Sequence, residues 1–125
     1  MNHCFILTAK ENVEVALDYY SNPTNCKKLF ADCICFVSDR FILHYYEDLF
    51  MDIEIFIQSF NKTGNKLDYH GKTIISPNAA SVIKSRFESN LSFTIKTKFN
   101  IKIGCFYKLL CAATNNKLYI VHLGI

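Results

Sequence analysis

Leu91-Ser92-Phe93-Thr94-Ile95-Lys96-Thr97-Lys98-Phe99-Asn100-Ile101-Lys102-Ile103 alternates apolar and polar residues over most of its length. Side chains of a strand point to opposite faces in turn, so the pattern predicts a long, half-exposed strand. Leu91, Phe93, Ile95, Phe99, Ile101 and Ile103 would face a core, and Lys96, Lys98 and Lys102 would share the solvated side. A strand with one wet face belongs in an antiparallel sheet, because parallel sheets are covered on both faces. Together with the adjacent hairpin segments upstream, this reading favours one fold class. The chain is expected to be α+β, a single domain over residues 1–125, with a mainly antiparallel sheet and three to four helices packed on it.

Working outward, Phe106 to Thr114 predicts a short helix, and Asn115-Asn116 turns into a last apolar strand, Lys117 to Leu123. Upstream, Ser76-Pro77 is a helix start: a serine cap followed by proline at the first helical position. Ala79, Ala80, Val82, Ile83 and Phe87 supply that helix's buried face. Leu67 to Ile75 reads as two short strands around Gly71, or one bulged strand, after a loop at Lys62–Lys66. Between Glu47 and Asn61 the period changes: Leu49, Phe50, Ile53, Phe56, Ile57 and Phe60 fall within an arc of about 120° on a helical wheel, which predicts a core-facing helix. Asp32–Val37 and Phe41–Tyr46 read as a strand pair joined by Ser38-Asp39-Arg40. At the start, His3 to Thr8 is a buried strand, and Thr8-Ala9-Lys10-Glu11 fits a capping box ahead of a helix with Val13, Ala16, Leu17 and Tyr20. Ser21-Asn22-Pro23 ends that helix, and Thr24–Phe30 adds a further turn or two.

Composition narrows the function classes. Half of the 125 residues are apolar, which excludes disordered and low-complexity classes and is enough for one buried core. A net charge of +3, carried by twelve lysines and two arginines, lacks the arginine-rich patch expected of a nucleic-acid binder. Gly64, Gly71, Gly104 and Gly124 are isolated, which excludes phosphate-cradling glycine loops. The six cysteines show no C-x-x-C spacing and the four histidines are scattered, so no metal or cofactor is expected, and the thiols read as small core hydrophobes. The first residues form too short an apolar run for a signal peptide or membrane anchor, so the expected location is cytoplasmic.

Two polar runs are candidates for chemistry, His44-Tyr45-Tyr46-Glu47-Asp48 and Asp68-Tyr69-His70. Each offers a histidine with carboxylate and phenol neighbours, the groups of general acid–base catalysis, although neighbours on a strand alternate faces. The helix expected at Glu47–Asn61 gives a sharper lead. Its outward arc carries Glu47, Asp48, Asp52 and Glu54 around Met51 and Ile55, which reads as an apolar patch with an acidic rim, suited to a basic protein partner.

Ile, Lys, Asn, Phe and Tyr dominate the sequence, as in AT-rich genes. In size, composition and α+β alternation the chain resembles small immunity proteins of bacterial polymorphic-toxin and contact-dependent growth inhibition systems. The resemblance implies an inhibitor rather than an enzyme. Its partner would be a cognate toxin domain, often a nuclease, blocked by occlusion, with the protein itself a monomer or weak dimer. The alternatives are a viral or phage host-interaction protein, and a small enzyme using His44 or His70.

Overall fold

The first and last strands of the chain meet in the middle of the sheet. In a computed structural model, which describes residues 1–98 and 101–125 and the side chains of 1–90 and 104–125, β1 (Asn2–Thr8) pairs antiparallel with β6 (Tyr119–Leu123), Phe5 opposite His122. Outside β1 lies β2 (Ile34–Ser38); beyond β6 come β5 (Lys72–Ile75), β3 (Met51–Ile57) and β4 (Thr63–Lys66). Every described pairing is antiparallel. The fold is α+β, in one domain.

Both faces of the sheet are covered. On one, α5 (Pro77–Lys98) and α6 (Ile101–Asn116) lie across the strands, with α3 (Asp39–His44) and α4 (Tyr46–Leu49) beside them. Phe5, Leu7, Val37, Ile75 and Ile120 from the strands meet Ile83, Phe87, Phe106 and Leu110 from the helices there. The opposite face takes α1 (Val13–Leu17) and α2 (Pro23–Phe30), where Cys4, Ile6, Ile74 and Val121 pack against Val13, Ala16, Cys26 and Phe30. Period two explains the division, since odd residues of β1 face one layer and even residues the other.

Local signals account for several boundaries. Ser76 Oγ accepts from the Ala79 amide at 3.2 Å and Pro77 opens α5, as its serine–proline pair predicts. Pro23 likewise stands at the first turn of α2. The expected capping box does not form: Thr8 Oγ1 donates to the Ala9 carbonyl instead, and the first turn is a 3-10 helix at Lys10–Asn12.

Several expectations are corrected. Phe41–Tyr46 is not a strand: Ser38 Oγ accepts from the Phe41 amide at 3.3 Å and caps α3, so the residues expected to make a hairpin turn start a helix. Glu47–Asn61 is not one helix. The chain leaves α4 at Phe50 and runs as β3, with Ile53 and Ile55 in one layer and Phe56 and Phe60 against the other. Ile53, Ile55 and Ile57 alternate with Asp52 and Glu54, while Phe56 on the second face and Leu49, Phe50 and Phe60 on either side complete the false helical arc. Leu91–Lys98 is not a strand either, because it continues α5. No glycine or proline lies between Asn78 and Ile103 to end a helix well started at Ser76. The side chains of Lys96, Lys98 and Lys102, expected to form a basic strand face, lie outside the described residues. The sheet also carries more helices than expected, and the stretch read as a loop at Lys62–Lys66 holds β4. Among the described residues no helix is long and apolar enough to cross a membrane.

Candidate functional site

His3 and His122 stand inside otherwise apolar strands, and neither side chain is exposed. A buried imidazole without a partner is costly, so each must be hydrogen-bonded. They bond to each other, His3 Nδ1 to His122 Nε2 at 2.9 Å. His3 Nε2 lies 3.0 Å from Asp39 Oδ1, Tyr69 donates its hydroxyl to the same oxygen, and His122 Nδ1 lies 3.3 Å from Thr73 Oγ1. The Asp68 amide donates to Thr73 Oγ1 at 2.9 Å.

The direction of each hydrogen follows from the two ends. Asp39 as a carboxylate only accepts, so His3 donates from Nε2, and with its proton affinity lowered by burial the neutral ring accepts at Nδ1. His122 therefore donates from Nε2 and accepts at Nδ1, from the Thr73 hydroxyl. Both rings are neutral, and every bond is satisfied in one consistent sense. Burial agrees. Desolvation holds His122 well below the ordinary histidine value, helped by the neighbouring His3, and lowers His3 against the opposing pull of Asp39. The Tyr69 hydrogen bond is the main reason Asp39 stays below its ordinary value, and the same bond pushes the Tyr69 phenol up to about 12.

The relay ends at a groove. Leu43, His44, Tyr46, Glu47, Asp48, Tyr69 and His70 line a cleft of about 540 Å³ between α3–α4 and the turn joining β4 to β5. That turn is pinned by the end of the chain. Gly124 donates to the Gly71 carbonyl at 2.7 Å, Ile125 to the Tyr69 carbonyl at 3.3 Å, and His70 Nδ1 lies 3.0 Å from the Ile125 carbonyl oxygen. A Cβ on Gly124 would stand 2.2 Å from the Tyr69 carbonyl oxygen, so only glycine allows this approach. On the other wall, Tyr46 donates to the Leu67 carbonyl, and its ring meets that of Tyr69 edge-on at 6.4 Å.

The structure divides the residues singled out in the sequence. Glu47 and Asp48 are exposed on α4 and line the groove together with His44 and His70. Asp52 and Glu54 are exposed on β3, not on a shared helix face with them. Met51 is half-buried, and the Met51 and Asp52 carbonyls both accept from Arg86. Ile55 is fully buried in the core and offers no surface anchor. The apolar patch of Met51 and Ile55 therefore does not exist. An acidic, aromatic groove centred on α4 stands in its place.

Sequence reasoning missed His3, Asp39, Thr73 and His122. The available signal was a histidine within each of two apolar strands, since such a residue is buried and must find a partner. Of the thiols, Cys4, Cys26 and Cys35 are buried while Cys33, Cys105 and Cys111 are partly exposed. Burial pushes the Cys4 thiol up to about 12. Among the described residues no cluster of His, Cys, Asp and Glu is placed to hold a metal ion. Comparison with protein-family models, curated proteins and solved structures finds no match to this chain.

Proposed function

We propose that the protein is a binding module of the immunity type, which docks a basic face of a toxin domain on the α4 groove and blocks it by occlusion. The observation that carries this reading is the groove itself. It places two exposed carboxylates, two tyrosines held by hydrogen bonds and the 59% exposed Leu43 on one rigid concave surface. Aromatic anchors within a charged rim are the usual make-up of a protein-binding hot spot, and opposite charge on a partner speeds encounter and fixes register. The relay below holds Tyr69 in place before any partner arrives, which reduces the ordering cost of association.

The test begins with capture of the cognate partner from the source cells and its purification. Supporting results are one-to-one binding, relief of the partner's toxicity, and loss of affinity in Glu47→Lys/Asp48→Lys with an unchanged circular dichroism spectrum. Undiminished affinity in that variant rejects the surface, and a partner whose activity survives binding rejects the inhibitor role.

The presence of His44 and His70 in one groove favours a second reading, a small enzyme in which one of them acts as general base. Full biological activity in both His44→Ala and His70→Ala removes it.

A further inference from the structure

We propose that the groove is a receptor for one arginine side chain of the partner, selected because the groove walls accept hydrogen bonds and offer almost none. The inference rests on reading this face as a docking surface, and it names what the surface grips.

The argument is a count of hydrogens. Tyr46 commits its hydroxyl hydrogen to the Leu67 carbonyl, and Tyr69 commits its own to Asp39. A ligand meeting these phenols finds π faces and lone pairs, not an O–H. The Ile125 carbonyl can only accept, so His70 donates to it from Nδ1, the tautomer in which Nε2 presents a lone pair. Glu47 and Asp48 are exposed acid side chains that only accept when ionised. Among the polar side chains lining the groove, His44 alone keeps an uncommitted ring hydrogen.

Such a wall discriminates by chemistry. An anion meets like charge, and a ligand made of acceptors leaves lone pair facing lone pair. A cation with several N–H groups satisfies the wall at many points. Arginine fits better than lysine because its planar guanidinium carries five donors in a fixed fork and stacks on aromatic faces. Tyr46 and Tyr69, edge-on to one another, offer a ring face for that stacking. Leu43 gives apolar surface for the methylene stem.

A second groove at the same end of the sheet lacks this selectivity. It has about 570 Å³ and sets Lys72 beside Glu14 and Asp18, so a cation there meets like charge and the lining offers an ammonium donor. The occupant of the first groove is an arginine of a folded protein rather than a free amine. Exposed carboxylates hold a small ion weakly, and an anchor gains affinity when a surrounding interface excludes water.

The experiment follows amide shifts of the full chain by NMR while Nα-acetyl-arginine amide is added, with Nα-acetyl-citrulline amide and Nα-acetyl-lysine amide as comparisons. Citrulline keeps the shape and loses the charge. The expected result is weak, saturable binding of the arginine probe with shifts confined to residues 43–48 and 67–71, weaker lysine binding and no citrulline binding. Glu47→Gln and Asp48→Asn, both exposed, should each weaken the arginine probe roughly two- to fivefold, and more so in the double variant, with an unchanged circular dichroism spectrum. Equal binding of citrulline and arginine, shifts outside the groove, or unchanged affinity in the double variant overturns the inference. A partner that is lost in Glu47→Lys/Asp48→Lys, yet is not competed by the arginine probe, overturns the inference and leaves the docking function standing. Saturable arginine binding in the groove that also competes with a captured partner whose activity survives binding supports the receptor and sinks the immunity reading.

Discussion

Acidification should unfold this protein through His122. The ring is fully buried, and desolvation and the neighbouring His3 both oppose a charge on it. Its folded-state affinity for a proton is well below the ordinary value of 6.5, whereas in the unfolded chain it titrates near that value. Stability is therefore complete above pH 6.5 and falls as the pH drops, because the unfolded chain takes up a proton that the folded chain refuses. The limiting slope for one such group is about 1.4 kcal/mol per pH unit, so moving from pH 7 to pH 5 costs about 2 kcal/mol, a large share of a typical domain's stability. His3 adds to the loss in the same direction, but less steeply, since Asp39 favours its charged form. Below the ordinary carboxyl value of 3.8, Asp39 adds a further loss, because its folded-state carboxyl is held lower by Tyr69. Urea unfolding followed by far-UV circular dichroism suits a chain without tryptophan. His122→Gln keeps an N–H for His3 and removes one titrating group, so its slope between pH 7 and pH 5 should fall by one proton's worth. A wild-type stability flat over that range, or a His122→Gln protein that retains the full slope, refutes the reasoning.

Other perturbations probe the packing and the groove. Phe106 is fully buried and its ring centroid lies 4.6 Å from that of Phe5 and 6.1 Å from that of Phe87, so Phe106→Ala should lose about 3–5 kcal/mol in chemical denaturation. Ser76→Ala removes the cap of α5 and should cost about 1 kcal/mol, whereas Glu11→Ala should stay within about 0.5 kcal/mol because the capping box it was expected to complete is not formed. Thermal melts separate the two. Gly124→Ala drives a Cβ into the Tyr69 carbonyl; it should destabilise the fold by about 1–3 kcal/mol and shift the amides of residues 68–71 in an NMR spectrum.

Much of the fold was legible locally. The strand at His3–Thr8, the helix start at Ser76-Pro77 and the last strand ending at Leu123 follow from apolar runs, caps and proline placement, and each stands where expected. The failures share one cause. In β3, Ile53, Ile55 and Ile57 alternate with exposed Asp52 and Glu54, but Leu49, Phe50, Phe56 and Phe60 complete a helical arc with Ile53 and Ile57 that competes with the period of two. In Leu91–Lys98 the reverse holds, since residues that alternate like a strand continue a helix already nucleated at Ser76. Helix propagation adds one bond per residue at little cost, and a local alternation does not stop it.

The candidate site divides in the same way. Glu47, Asp48, His44 and His70 were visible as polar residues at segment ends, and all four line one groove. Ile55, taken from the same false helix, is in the core. The sequence by itself determined that this is an apolar chain able to bury one core, without a phosphate-cradling glycine loop, because composition belongs to each residue. The α+β class stands although Phe41–Tyr46 and Leu91–Lys98, two of the segments that argued for it as strands, are helical. The relay was decided by tertiary structure alone. Its members come from β1, α3, the β4–β5 turn, β5 and β6, and His3 and His122 lie at opposite ends of the chain. A hydrogen bond needs two specific atoms within about 3 Å, a condition that no local pattern encodes and that only the pairing of the first strand with the last can meet.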